Sequence, residues 1–599
     1  MAAPGVVRAR YVLSHRLNLI ATLIVRIAKA GFGKTSISHS VIDNLVAEAE
    51  DPEICDEPSA TATFHFNSLR SETSHPEDAL RNIACQLLRT HRHDRLTLDA
   101  VCLLLRKTSF REHAINDEVL DVLSLLLRQH PTFLVIDGID DCSDAEAFFT
   151  SLARLCRGSD TRAMIFSRPN IKIPLEYQKW ASDAPHILAL TSKHNAAAIQ
   201  QYLVYGLSLM ADQGFFGISM DRNLIAQVAR SANGEFLWAS MLLNLFQTTV
   251  LTSEERLAIL QNIQSLEGLE SLYGVMLNAL ARRPQHEKRI IANAFRWLSF
   301  PINRMSASAL RAALPTHNPN APETSHVTDT IDALSELTCG LIQTTNDTIS
   351  FNHRSIREYL QSPMSQDAEF SLQDESSVHA HLAARCLSYL TNDVPKRPLG
   401  ALRPHSPQMP PVIPSSSGAS QRTSASGDSG YKSLSSSDGD NNAMLPTVPP
   451  QTRIRTVPFD TNLPFLRYAA LCWPIHLSRA LSPSSPTSDT FAYLPFLAAF
   501  LSSRVSVTAW VEASFRYNLP PTLTRLVGPL ADLKGEIPPS TVEGRQVRFV
   551  VNELGELSRR LVEVKRGCEG VMRRNPSLIW QGDGGEGFWP LWEEVNVMG

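Results

Sequence analysis

Two short stretches of this sequence hold residue types that could together bind a phosphate chain and a divalent cation. In the first, Leu23-Ile-Val-Arg-Ile27 reads as an apolar strand, followed by Ala30-Gly31-Phe32-Gly33-Lys34-Thr35-Ser36 opening a helix. Backbone N–H groups in a tight glycine loop at a helix N-terminus form an anion cradle, and a lysine there adds a point charge for the terminal phosphates. Residues 30–36 are therefore candidate nucleotide contacts, with the Thr35 hydroxyl as a Mg²⁺ ligand. The pattern G-x-x-x-x-G-K-[ST] asks for glycine where this chain has Ala28. The second stretch is Pro131-Thr-Phe-Leu-Val-Ile-Asp137-Gly138-Ile-Asp140-Asp141. An apolar, β-favouring run that ends in an acid describes a buried parallel strand with a carboxylate at its C-terminal end, where ligands of open α/β sheets sit. Asp137 is placed to share the Mg²⁺ with Thr35, and Asp140 or Asp141 to orient an attacking water as catalytic acids. A third strand, Ala163-Met-Ile-Phe166, ends in Ser167-Arg168 and would aim a guanidinium at the terminal phosphate. Each stretch alone also reads as an ordinary turn or strand end. Their order and separation favour a nucleotide site.

The elements around these residues set the fold class. Strand and helix alternate from residue 23 to 190: helices at 38–49, 76–88 and 116–129, strands at 61–66 and 187–190. That alternation predicts a parallel sheet. Residues 195–298 carry helical spacing almost throughout, and Gly234-Glu-Phe-Leu-Trp-Ala239 within them reads as core. Helices at 307–314 and 329–337, a hairpin around Asn346-Asp347 and a helix from His353 make a winged-helix arrangement. Its small positive charge favours packing over DNA binding. The expectation is a multidomain α/β plus α chain: an N-terminal extension (1–20), a P-loop NTPase domain with a parallel sheet (21–190), a helical subdomain (191–300), a winged helix and following helix (301–391), a disordered Ser/Pro-rich linker (392–457) and a C-terminal helical region (458–599). In the last, Val547 to Cys568 forms an amphipathic stripe.

The 599 residues leave room for several domains. A net charge of −4 gives no basic field, so nucleic acid is not an expected partner. Nine scattered cysteines without a C-x-x-C suit free thiols in a reducing compartment. The apolar run 17–28 contains Arg26 and is shorter than the about 20 residues a membrane span takes, so no transmembrane segment is expected. The start of the chain bears arginines and no acid before Asp43, as mitochondrial transit peptides do. Its apolar run is needed as the first strand, so the expected location is cytoplasmic, with mitochondrial targeting the alternative. A start so close to that strand, and the missing glycine, also fit an incomplete gene model.

The chain resembles the fungal NACHT-type NTPases of the STAND class, in their nephrocystin-like group. The resemblance rests on Ala30-Gly-Phe-Gly-Lys-Thr35, Phe64-His-Phe66, Leu80-Arg-Asn-Ile-Ala-Cys-Gln-Leu-Leu88, Asp137-Gly-Ile-Asp-Asp-Cys142, Ser167-Arg-Pro169, Gly234-Glu-Phe-Leu-Trp-Ala239 and His353-Arg-Ser-Ile-Arg-Glu-Tyr-Leu360. It implies a slow NTPase acting as a switch in signalling or non-self recognition. ADP would hold a closed form, ATP exchange would open it, and self-oligomers or protein partners would follow. It favours ATP over GTP, and implies that His353 reaches the β-phosphate of ADP. The effector domain and repeats usual in the family are not visible. The alternatives are a metabolic P-loop kinase and a decayed, nucleotide-free scaffold.

Overall fold

The computed structural model describes residues 23–49, 59–67, 73–105, 114–169, 171, 186–217, 221–302, 305–314, 333–345, 348–365, 369–399, 462–481 and 491–580. The expected extension at 1–20, the hairpin turn at 346–347 and the linker from 400 to 457 lie outside them. Two compact units are formed, one drawn from Met1–Ala292, Thr328–Gln343 and Ser350–Gln373, the other from Asn293–Val327, Thr344–Ile349 and Asp374–Gly599.

In the first unit β1 (Leu23–Ile27), α1 (Lys34–Ala49), β2 (Ala60–His65), α2 (Pro76–Thr90), α3 (Arg95–Leu105), α4 (Asn116–Gln129), β3 (Thr132–Asp137), α5 (Ala145–Cys156), β4 (Thr161–Ser167) and β5 (His186–Ala189) build the α/β layer. The sheet is five-stranded, in the order β2-β3-β4-β1-β5, and every pairing is parallel. Successive strand residues face opposite sides. Leu134, Ile136, Ala163 and Ile165 accordingly join α2, α4 and α5 in one core, while Val135, Met164 and Phe166 pack with Val41 and Leu45 of α1 in another. Both faces are covered, which is why β3 and β4 read as continuous apolar runs rather than alternating ones. The Ser-Arg strand β4 lies beside the aspartate strand β3, with Asp137 opposite Phe166.

The helical run follows as α6 (Ser192–Asp212), α7 (Arg222–Ser231), α8 (Phe236–Gln247), α9 (Ser253–Gln261), α10 (Leu269–Ala281) and α11 (Gln285–Ser299). Trp238 is fully buried in it and donates from Nε1 to the Leu266 carbonyl at 2.8 Å. Then come α12 (Ala307–Ala313), α13 (Leu334–Leu337), the hairpin strands β6 (Ile342–Thr345) and β7 (Thr348–Phe351), and α14 (Arg354–Gln361). The helix expected from 329 is described only from 333 on, as the one-turn α13.

The second unit adds α15 (Glu375–Asn392), α16 (Leu466–Ala480), α17 (Leu494–Ser502), α18 (Arg504–Arg516), α19 (Thr524–Glu536) and α20 (Val542–Arg574). On α20 the residues Val547, Val550, Leu554, Leu557, Leu561, Val564 and Cys568 form the buried stripe, while Arg559 and Arg560 pair with Glu556 on the wet face. Among the described residues no single helix is long and apolar enough to cross a membrane; α17 and α18, apolar together, are bent by 92° at Ser503. Residues 393–399, read from composition as linker, are instead packed: Val394 and Leu399 are buried. The Leu399 N–H donates to Glu512 Oε2 at 2.8 Å.

That glutamate is fully buried and saturated. Trp580 Nε1 reaches its Oε2 at 2.7 Å, and Arg516 Nε and Ser577 Oγ reach Oε1 at 2.9 and 2.7 Å. Removing one partner of a buried charged network strands the others. Glu512→Ala should therefore destabilise the second unit by about 3–5 kcal/mol, and Glu512→Gln by less. Urea unfolding followed by tryptophan emission checks this, and a midpoint unchanged in Glu512→Ala contradicts it.

Candidate functional site

The loop between β1 and α1 is held from three sides. The Ala28 N–H donates to the Ser167 carbonyl at 3.1 Å, and the Leu237 N–H to the Gly31 carbonyl at 3.3 Å. Asn195 Nδ2, from α6, bridges the carbonyls of Phe32 (3.2 Å) and Gly234 (2.8 Å). Gly31 has φ +77°, and a Cβ there would stand 2.9 Å from Leu237 Cβ, so both the backbone angle and the close approach require glycine. Ala28, by contrast, has no left-handed backbone, and its N–H is bonded. The first glycine of the motif is therefore not needed for this loop to close.

Phe32 is buried, so it anchors the loop while its backbone remains part of the cradle. Lys34, Thr35 and Ser36 form the first turn of α1, whose leading N–H groups lack intrahelical acceptors. Lys34 Nζ lies across the loop, donating to the carbonyls of Ala28 (2.8 Å) and Lys29 (2.9 Å). Burial lowers its pKa to about 8; Asp140 and Asp137 oppose the fall, while Arg168 and Arg354 add to it. An ammonium short of countercharge at a helix N-terminus suits an anion.

Asp137 ends β3, is 4% exposed, and receives His65 Nδ1 at 3.0 Å on Oδ2. Gly138, with φ +71°, then turns the chain into a single 3₁₀ turn that carries Asp140 and Asp141. A Cβ on Gly138 would stand 3.0 Å from the Phe66 carbonyl oxygen. The two acids, expected to orient an attacking water, are taken by arginines. Arg168 meets Asp140 through Nε at 3.3 Å, and its own N–H donates to Asp140 Oδ1 at 3.2 Å. Arg354, the first residue of α14, pairs with Asp140 (3.4 Å) and with Asp141. Glu358, one turn along α14, accepts from Arg168 (3.2 Å) and Arg354 (3.1 Å). Arg168 thus sits in a chain of alternating charges rather than standing free at the strand end.

His353 caps α14, its Nδ1 accepting from the Ser355 N–H at 3.1 Å. Burial lowers its pKa to about 4, with Arg168 and Lys34 adding to the fall and Glu358 and Asp140 opposing it. The imidazole is therefore neutral and stands within electrostatic reach of the loop lysine.

The residues expected to form the site are brought together within the first unit: the loop 30–36, Asp137, Asp140, Asp141, Arg168 and His353. Sequence reading missed His65, Arg354, Glu358 and Glu235. All four lie in stretches that carried the family resemblance, but none had a role of its own there, and the partners His65–Asp137, Arg354–Asp141 and Glu358–Arg168 are remote in sequence. The Gly234–Ala239 stretch is only half core. Trp238 and Ala239 are buried there, but Leu237 presses on the loop glycine, and Phe236 Cδ2 would be 3.9 Å from a Cβ on Gly33.

Residues 21–168 match the family described as nephrocystin 3, N-terminal. Among solved structures the chain is similar to the Walker-type ATPase PABY2304 of Pyrococcus abyssi, with 11% identity and a TM-score of 0.28 over 60% of this chain and 95% of that one. It is also similar to the Aeropyrum pernix ORC1 protein in complex with DNA (13%, 0.26, 61% and 94%) and to Drosophila ORC bound to DNA (13%, 0.26, 57% and 80%). Comparison with curated proteins gives no match. At such TM-scores the backbone likeness is loose and carries no functional conclusion.

Glu235 precedes α8, is buried, and has an Oε2 with no partner among the described residues. Its Cβ lies 3.7 Å from where a Gly31 Cβ would be. Burial raises its pKa from 4.5 to about 7, against the pull of Lys29. A carboxyl with a raised folded-state pKa gives stability that is fully present below 4.5 and is lost as pH rises through 7. Glu235→Gln escapes that loss. Its melting temperature should exceed that of the unsubstituted chain by a gap that opens between pH 4.5 and 7 and then levels off. A gap independent of pH in thermal scans contradicts the assignment.

Proposed function

We propose that this chain is a nucleotide-controlled switch of the STAND/NACHT type. It binds ATP or ADP with Mg²⁺ through the backbone of residues 30–36, Lys34, Thr35 and Asp137, with GTP the alternative. Thr35 supplies a hydroxyl and Asp137 a buried carboxylate with His65 on one oxygen, an all-oxygen donor set that suits Mg²⁺. When bound, the ion neutralises phosphate charge. The remaining work falls to the chain's own residues. The loop N–H groups and Lys34 bind and orient the phosphates, and Asp140 or Asp141 orients water once released from Arg354. Arg168 senses the terminal phosphate, and His353 donates to ADP.

The observation that carries this reading is the interlock of Arg354 and Glu358 on α14 with Asp140, Asp141 and Arg168 beside the loop lysine. A phosphate competes with Asp140 and Glu358 for the same guanidinium of Arg168, so occupancy of the loop and docking of α14 are energetically coupled. A metabolic kinase needs no such tie. Slow hydrolysis follows from acids that are engaged while α14 is docked. In this reading 21–190 bind nucleotide, 191–300 form a helical subdomain that buttresses the loop, and 301–391 form the winged helix and following helix. Self-oligomers or protein partners at a cytoplasmic location complete the proposal. The decayed-scaffold alternative drew on Ala28, and the loop closes without a glycine there.

Titration with a fluorescent ATP or ADP analogue in Mg²⁺ tests this. The unsubstituted chain should bind, and Lys34→Ala should weaken binding by about tenfold or more, the loss of a charge-assisted bond. Equal affinity in the two proteins contradicts the assignment.

A further inference from the structure

Three hydrogen bonds around His353 can be given a direction. The Ser355 N–H donates to His353 Nδ1 at 3.1 Å, so Nδ1 carries a lone pair and not a proton. The ring is neutral, hence the proton is on Nε2. Ser355 Oγ lies 2.8 Å from the same Nδ1, and between a hydroxyl and a lone pair the hydroxyl donates. That uses the only proton Ser355 Oγ has. Tyr273 OH, 2.8 Å from Ser355 Oγ, must then be the donor in its turn. The chain runs one way, from Tyr273 O–H to Ser355 Oγ–H to His353 Nδ1, and leaves Nε2–H outward.

The elements involved make this a tie as well as a proton order. Tyr273 belongs to α10 of the helical run and is 1% exposed; its ring stacks obliquely on Tyr359 of α14, with centroids 5.6 Å apart. A phenol buried so fully has to spend its proton on a partner. The partner, Ser355, stands two residues after His353 in the first turn of α14. No protein acceptor takes the Nε2 proton among the described residues, while Lys34 and Arg168 act on the imidazole electrostatically. Groups gathered there suit an anion with acceptor oxygens.

We infer that Tyr273 and Ser355 are positioning residues which hold His353 as a fixed Nε2–H donor toward a phosphate oxygen. The inference rests on the nucleotide reading above. Donors chained in one direction polarise each other, so each link sharpens the preference for one tautomer and one ring orientation. Tyr273 thereby links α10 to nucleotide retention without touching the ligand.

The tautomer is measured directly by long-range ¹H–¹⁵N spectra of the ¹⁵N-histidine-labelled full chain, with the His353 signals assigned by their loss in His353→Gln. Near neutral pH Nδ1 should be unprotonated and Nε2 protonated; a protonated Nδ1 overturns the inference whether or not nucleotide binds. Release of a fluorescent ADP analogue is then followed in Tyr273→Phe, Ser355→Ala and Ser355→Thr. Ser355→Ala should release ADP about tenfold faster and Tyr273→Phe several-fold faster, while Ser355→Thr, which keeps the hydroxyl, stays near the unsubstituted rate. A merely structural role would not be rescued by threonine while failing with alanine. Unchanged release in both Ser355→Ala and Tyr273→Phe overturns the positioning role. Failure of the unsubstituted chain to bind the analogue overturns the nucleotide reading itself, and is told apart because the tautomer is read without ligand.

Discussion

The guanidinium of Arg354 lies between Asp140 and Asp141, and the candidate site depends on that placement. The side chains of Arg354, Asp140 and Asp141 are 26, 16 and 14% exposed, so their charges are largely out of water and must be paired. Arg168 and Glu358 extend the pairing into a chain in which every charge has an opposite neighbour. Withdrawing α14 breaks several of these links at once. Links that break together rather than one at a time are what the proposed switch needs of α14.

The phosphate loop, in contrast, is built in advance. Its shape comes from Gly31 against Leu237, from Asn195 on two carbonyls and from the buried Phe32 ring, none of which involves a ligand. Lys34 already spans the loop. Anion binding at such a site asks for little reorganisation of backbone, and in the proposed switch the binding energy so left over acts on Arg168 and through it on α14. The helical run enters through Leu237 and Tyr273, which meet the loop and the His353 turn respectively.

The sheet was legible chiefly through β3 and β4, which bury compact apolar runs and end at Asp137 and at Ser167-Arg168, whereas the edge strand β5 leaves Ile187 and Leu188 exposed. Pro131 to Asp137 could be read as strand plus carboxylate from one line of sequence, and β4 with Arg168 likewise. The helices α3, α5 and α19 went unread: α3 exposes Leu96, Leu103 and Leu104, which blurs its period, and Pro529 interrupts the pattern of α19. The ion chain was illegible for a different reason. Asp141 and Arg354 are remote in sequence, and nothing in the local spacing of either stretch announces the other. The same holds for Glu235, an acid inside an aromatic stretch that reads as core until the glycine beneath it is seen. Residues 393–399 misled by composition: their prolines lead into the Ser/Pro-rich run read as linker, yet Leu399 finds a buried acceptor in Glu512.

Amide hydrogen exchange along α14, Arg354 to Gln361, measured in the chain saturated with ADP and again with a non-hydrolysable ATP analogue and Mg²⁺, tests the coupling of loop and helix most directly. ADP should keep these amides protected, and the ATP analogue should speed their exchange while the amides of β3 stay as slow as before. Equal protection of α14 with both nucleotides would contradict the coupling.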